Sequence, residues 1–383
     1  MATKALVRLA IHMSFEIPLS NPDLNGNEID YVVDAIKSGW IGVGPYIKKF
    51  ERQFADLCGT RSAIACANGT VALHLALRAQ RLGPGDEVIV PSFTYVATAN
   101  AVRFCGAEPV FVDVEPTTWC MDPAKIESAI TPRTKGIIAV HLYGHPADMD
   151  AINKVASIYG LWVVEDAAEA ILAEYKGRPV GGLASIATFS FHVTKVFTSG
   201  EGGALTFNDE TLDAFLRMIC SHGMDPDRRF FFPVTGYNYR LTNIAAAMLC
   251  AQLERRHEFL KRRTEISQLY METLAGTPGI GFRPVASWAK LSPWLFSITV
   301  DPNEFGLKRE ELMKVLAENG IDSRPFFIPV HTLPPFRESS TARREVLAET
   351  DRICSLGVNL PTYTTITDKQ VQSIGRVIKA AAR

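Results

Sequence analysis

Apolar residues fall along this chain in two rhythms. Near the start they recur every three to four positions: Ile29, Val32, Val33 and Ile36 before Gly39, then Ile47, Phe50, Phe54 and Leu57 before Gly59. That spacing predicts two amphipathic helices, each stopped by a glycine. Asn25-Gly26-Asn27 can cap the first, and Trp40–Pro45 is the loop between them. From Ser62 the rhythm changes to short apolar runs that alternate with helical stretches. Strands are predicted over Ser62–Ala67, Glu87–Pro91, Pro109–Val114, Gly136–Tyr143 and Leu161–Glu165. Helices are predicted over Thr70–Ala79, Ala97–Phe104, Pro123–Ile130 and Met149–Tyr159. Runs such as Val88-Ile89-Val90 show no polar alternation, as expected when helices cover both faces of a parallel sheet. The pattern therefore predicts an α/β fold with a mostly parallel central sheet.

A further strand begins at Ile186 and runs through Phe189 and Phe191 towards Lys195. It ends at the turn Ser199-Gly200-Glu201-Gly202-Gly203. Beyond it lie a short strand, Ala204–Phe207, and a helix, Glu210–Cys220. Gly223–Tyr239 is long, aromatic and irregular, and loops of that length in compact domains tend to be functional. A helical region follows over Asn243–Leu274. From about Thr277 the pattern becomes that of a smaller α+β domain, with a strand over Trp294–Val300, a helix over Lys308–Glu318, a proline-rich loop over Pro325–Pro335 and a closing helix over Asp368–Ala382. The resulting division is an N-terminal tail over residues 1–16, a large domain over 17–260 and a small C-terminal domain over 261–383.

Composition narrows the function. A net charge of −1 argues against a general nucleic-acid binder, so any phosphate site must be built locally. No apolar run approaches membrane-spanning length, and Met1–Ser14 lacks the extended apolar core of a signal peptide. The seven cysteines are scattered with no C-x-x-C pair, which points to reduced thiols, a cytoplasmic location and no zinc site.

Four features carry candidate chemistry. Lys195 at a strand end is either an ordinary lysine stepping out to solvent or an amine aimed into a site to form an imine with a carbonyl. Gly69 and Thr70 stand where a strand turns into a helix, and free N–H groups there attract an anion. The same two residues would also serve a plain capped helix. Glu165-Asp166-Ala167-Ala168-Glu169 puts carboxylates at the C-terminal end of an apolar strand, where ligands bind in open α/β sheets. Tyr95 follows another strand end and can stack on a flat ligand or pack in the core. A lone His141 after a third strand reads more readily as a structural group than as a catalyst. An anion cradle, an aromatic, an acid and a lysine on one sheet edge fit pyridoxal 5′-phosphate: phosphate, ring, ring nitrogen and carbonyl each find a partner.

Three motifs resemble those of the DegT family of nucleotide-sugar aminotransferases: Asn68-Gly69-Thr70, Glu165–Glu169, and Ser190-Phe191-His192-Val193-Thr194-Lys195 with Gly200–Gly203. The resemblance runs from about Ile17 to the C-terminus. It implies fold type I, the aspartate-aminotransferase-like architecture, in a homodimer with shared active sites. By that resemblance Lys195 is the Schiff-base lysine and proton shuttle, and Asp166 pairs with the pyridine nitrogen. Gly69, Thr70 and Ser190 bind the phosphate, Tyr95 stacks on the ring, and Glu169 contacts the cofactor or the sugar. Asn238 reaches the cofactor phosphate of the neighbouring subunit. His331, Arg228 and Arg229 are substrate contacts, the arginines because pyrophosphate favours bidentate donors. The runs Gly223–Arg229, Gly236–Asn243 and Pro329–Pro334 resemble the branch that aminates a 4-keto-6-deoxy sugar on a nucleotide, with GDP-4-keto-6-deoxymannose as best match, L-glutamate as donor and surface polysaccharide as destination. Two positions depart from that branch: His192-Val193-Thr194 replaces Phe-Gly-Asn, and His222 stands where glutamine is expected.

Overall fold

The computed structural model describes residues 15–383, so most of the expected tail lies outside it. Within the described residues Ile17 already pairs with Ile321. The central sheet is built from β1 (Ser62–Cys66), β2 (Glu87–Pro91), β3 (Glu108–Val112), β4 (Thr134–Val140) and β5 (Trp162–Asp166). A small hairpin of β6 (Glu174–Tyr175) and β7 (Arg178–Pro179) precedes its last two strands, β8 (Ile186–Ser190) and β9 (Gly203–Phe207). The seven strands lie in the order β1-β9-β8-β5-β4-β2-β3. All run parallel except β9, which is antiparallel to both of its neighbours. The continuous apolar runs are buried along their length, as a sheet covered on both faces requires.

This topology collects chemistry at one edge. The C-terminal ends of β1, β2, β4, β5 and β8 point the same way, and β9 begins there. Asn68-Gly69-Thr70, Ser92–Tyr95, Asp166 and Ser190–Lys195 therefore share one rim although up to about 130 residues of chain separate them.

The C-terminal part forms a second, antiparallel sheet. Its strands are β10 (Ile280–Phe282), β12 (Phe296–Val300), β13 (Arg324–Pro325) and β14 (Gly357–Leu360), in the order β10-β12-β14-β13. Between them β11 (Ala289–Lys290) joins the β6–β7 hairpin of the large domain. One buried core fills the large sheet and its helices. A second surrounds Ile298, Leu316, Val358 and Ile374. The helix Arg256–Leu274 bridges the two, with Phe259 in the first core and Ile266, Tyr270 and Leu274 in the second.

Most predicted elements are present within a residue or two. Pro123–Ile130 is instead a 3₁₀ turn followed by one helical turn, and Asn243–Leu274 is two helices that break at Arg255. β10, β14 and the helices Pro334–Arg343 and Ala348–Leu356 were not anticipated, because short or polar sequences carry weak periodicity. The helix Glu28–Lys37 forms, but its apolar stripe does not reach the core. Ile29, Val33 and Ile36 face solvent, together with Trp40, Ile41 and Val43 of the following loop.

Candidate active site

Beneath the shared rim, between the two domains, lies a cavity of about 610 Å³. Each of its walls has a local cause. One wall is the start of the helix Gly69–Ala79. Asn68 adopts an extended conformation and its side chain accepts the Val71 amide at 3.0 Å, so it caps the helix as asparagine commonly does. The amides of Gly69 and Thr70 then donate to no group among the described residues. Gly69 is required by close approach: a Cβ there would lie 2.8 Å from Ser190 Cβ. Gly203 is required likewise, since its Cβ would meet the Asn68 carbonyl oxygen at 2.4 Å. Two strands and a helix terminus are thus drawn together into a bare, positive backbone cradle beside the Thr70 and Ser190 hydroxyls.

The floor comes from β5. Strand alternation sends Glu165 and Asp166 to opposite faces. Glu165 is fully buried away from the cavity, where its carboxylate accepts the amides of Gly181, Leu183 and Ala184 at 2.7–2.9 Å and touches His141 Nε2 at 3.1 Å. Both are structural, and His141 itself accepts the Ala147 amide. Asp166 lines the cavity. Its Oδ2 accepts the Thr98 hydroxyl at 2.7 Å, and Thr98 in turn contacts the Thr94 hydroxyl at 2.8 Å. Burial pushes the Asp166 carboxyl up from its ordinary pKa, and the Thr98 hydrogen bond opposes that shift.

Lys195 enters after β8 with its side chain only 13% exposed. Its Nζ lies 3.6 Å from Glu169 Oε1 and 3.6 Å from the centre of the Trp294 ring. Burial lowers the lysine pKa, and the Glu169 and Asp166 charges pull it partly back up. Glu169 is pushed up by burial and drawn down by Lys195; its Oε2 accepts the Tyr143 amide at 2.9 Å. Burial therefore favours the neutral amine that an imine-forming or proton-moving lysine requires.

The residues brought together are Gly69, Thr70, Tyr95, Asp166, Glu169, Ser190 and Lys195. Tyr95 is 58% exposed, with its ring 5.6 Å from that of Phe327. Four candidates lie outside this lining. Asn238 is exposed and bridges to Ser221. Arg228 and Arg229 are exposed on their loop, packed on Phe231 and Phe230 at 4.0 and 4.9 Å. His331 is bonded to Ser92, Nδ1 to Oγ at 2.8 Å, and tethers the proline-rich loop to the end of β2. Sequence reasoning missed Thr94, Thr98, Trp294, Leu295, Arg324, Phe327 and Asn359, all of which line the cavity. The threonines follow β2 and its turn into a helix, a signal that was available. The others reach the cavity from more than 90 residues away in sequence.

Comparison with known proteins decides among the chemistries this cavity allows. The model of the DegT/DnrJ/EryC1/StrS aminotransferase family matches residues 22–379. The chain belongs to that family. It is 46% identical over 361 residues to GDP-perosamine synthase of Caulobacter vibrioides, covering 94% of this chain and 96% of that one. It is 41% identical to GDP-perosamine synthase of Escherichia coli O157:H7, covering 93% and 95%. Among solved structures, Spr1654 of Streptococcus pneumoniae in its PLP form superposes with a TM-score of 0.87 at 30% identity, covering 95% of this chain and 98% of that one. Family membership makes the protein a pyridoxal-phosphate-dependent sugar aminotransferase of fold type I. The cavity fits that cofactor: a bare amide cradle for its phosphate, a buried carboxyl for its ring nitrogen and a largely buried amine for its carbonyl.

Proposed function

We propose that the enzyme moves the amino group of L-glutamate onto C4 of GDP-4-keto-6-deoxymannose, yielding a GDP-linked 4-amino sugar for surface polysaccharide. Similarity to GDP-perosamine synthases over nearly the whole chain carries this reading. When bound, pyridoxal phosphate supplies the carbonyl that takes up nitrogen and the ring that accepts electrons. The chain's own residues do the rest. Lys195 Nζ would hold the cofactor through its carbonyl and would serve as the acid-base group that moves the proton. Asp166, held by Thr98, would pair with the ring nitrogen and favour its protonated form. The amides of Gly69 and Thr70, with the Thr70 and Ser190 hydroxyls, bind the phosphate, while Tyr95 covers the ring. Glu169 holds the lysine and faces the sugar.

The protein works as a homodimer. Ile29, Val33, Ile36, Trp40, Ile41 and Val43 form an exposed apolar face of a kind that monomers seldom leave open. In that dimer Asn238, Arg228 and Arg229, none of which lines its own chain's cavity, serve the partner's cofactor and substrate, and His331 borders the sugar. The reaction takes place in the cytoplasm; among the described residues no helix is long and apolar enough to cross a membrane.

The test is incubation with L-glutamate and a panel of nucleotide-linked keto sugars, following 2-oxoglutarate. GDP-4-keto-6-deoxymannose should drive turnover far faster than TDP-linked or 3-keto sugars. Preference for one of those would overturn the substrate assignment and point to His192-Val193-Thr194, which departs from the branch pattern, as the cause.

A further inference from the structure

Trp294 is the one tryptophan lining the cavity among the described residues. It is buried, and its position is fixed at several points. Its indole N–H donates to the Thr194 carbonyl at 2.6 Å, one residue before Lys195. Its own carbonyl accepts from Nη1 of Arg263 at 2.8 Å. Arg263 is 3% exposed, has no carboxylate partner among the described residues, and spends the same Nη1 on the carbonyls of Pro293 and Thr362 as well. Ser292, two residues earlier, donates its amide to the Gly144 carbonyl, and a Cβ on Gly144 would strike the Ser292 carbonyl oxygen at 1.7 Å. The indole is thus clamped to both domains, with its face towards Lys195 Nζ at 3.6 Å from the ring centre. Glu169 Oε1 lies 3.6 Å from the same amine.

An aliphatic residue would exclude water equally well. A clamped indole adds an attraction for a cation, because the ring face is electronegative and the amine is largely buried. The cofactor's carbonyl carbon forms an imine with one amine at a time, so the lysine would be free of it while the amino group being transferred is held there. On the reading that Lys195 is the cofactor lysine, we propose that Trp294 is a positioning residue. Its ring and the Glu169 carboxylate form the resting place of the released ammonium and keep it within reach of the cofactor; the amine would serve as base or nucleophile only after its proton has passed to the Glu169 carboxylate 3.6 Å away. The charged groups acting on the amine are Glu169 and Asp166 from the floor of the cavity; His192 and Glu201 line the same cavity.

The test uses the full-length protein without cofactor, where the amine is free. Competitive acylation of Lys195 over a pH series, read by peptide mass spectrometry, gives the midpoint at which the amine becomes nucleophilic. Trp294→Leu removes the ring, and the midpoint should fall by about one pH unit. Trp294→Phe keeps a ring and loses the N–H, so its midpoint should stay within about half of that shift. Coincident midpoints in wild type, Leu and Phe proteins would overturn the proposal. A second readout leaves Trp294 in place, so it survives if the leucine variant does not fold. Indole emission should step with pH as Lys195 loses its proton, and the step should vanish in Lys195→Met. Persistence of the step in that variant would refute the contact. The two readings fail separately. If Lys195→Ala keeps full transaminase activity, the lysine assignment is wrong; if it is inactive and the midpoints coincide, only the role of Trp294 is refuted.

Discussion

Gly203→Ala is a one-methyl perturbation whose effect can be worked out from the geometry. Gly203 opens β9 and pairs with Cys66 of β1 on one side and Ser190 of β8 on the other. An added Cβ would lie 2.4 Å from the Asn68 carbonyl oxygen, 2.5 Å from its carbon and 2.9 Å from the Gly69 nitrogen. These are backbone atoms, so no rotamer change relieves the clash. Gly203 is not among the glycines with positive φ, so the penalty is steric alone. Overpacking of this kind costs about 1–3 kcal/mol. Relief requires Asn68 and Gly69 to move, and those residues form the amide cradle. Expressed wholly in cofactor binding, the cost corresponds to about 5- to 150-fold weaker affinity. Gly83→Ala is the control, since a Cβ there meets nothing within 4 Å and Gly83 is not among the positive-φ glycines. The assay is titration of cofactor-free protein with pyridoxal phosphate by absorbance, alongside thermal unfolding. Affinity equal to that of Gly83→Ala, with unchanged melting, would refute both the packing and the placing of the phosphate.

Other predictions follow from the buried titratable groups. Thr98→Val removes the hydroxyl that opposes the burial shift on Asp166, so the carboxyl pKa in cofactor-free protein should rise further; an unchanged titration of the carboxyl resonance in NMR would contradict this. Glu169→Gln removes an anion that raises the Lys195 pKa, so the amine should become reactive at lower pH in competitive labelling, and a shift to higher pH would be the wrong sign. His74 and His145 are held neutral by burial, with pKa values lowered to about 4 and about 3. The unfolded chain binds those protons near pH 6.5, so stability should fall as pH drops from about 6.5 towards 4–3. His74→Gln should flatten that fall in urea-unfolding midpoints, and an identical slope would show that His74 does not contribute.

The sheet was legible because strands buried on both faces must be continuously apolar, and few other segments are. Lys195 and Asp166 were legible because Asp166 closes such a strand and Lys195 follows the end of another, and in a parallel sheet strand ends meet. Alternation along β5 was also available: it separates Asp166, which faces the cavity, from Glu165, which anchors the loop Gly181–Ala184. What remained hidden came by long-range packing. Trp294, Arg324, Phe327 and Asn359 reach the cavity from the second domain, and no local spacing encodes that approach. The helix Glu28–Lys37 shows the same limit in another form. Its periodicity announces a helix with an apolar stripe but not what covers it, and within one chain Ile29, Val33 and Ile36 are uncovered. Asn238, Arg228 and Arg229 likewise lie outside the lining of their own chain's cavity, and the role proposed for them needs a second copy that no single-chain pattern can supply.

The central claim is that Lys195 holds the cofactor in the cavity between Asp166, Glu169 and Trp294. Borohydride reduction of the holoenzyme, followed by proteolysis and mass spectrometry, tests it at the atom concerned. The account predicts that reduction fixes the cofactor to Lys195 Nζ, one adduct per chain, and that Lys195→Ala takes up none. An adduct on any other lysine, or equal uptake by Lys195→Ala, would contradict it.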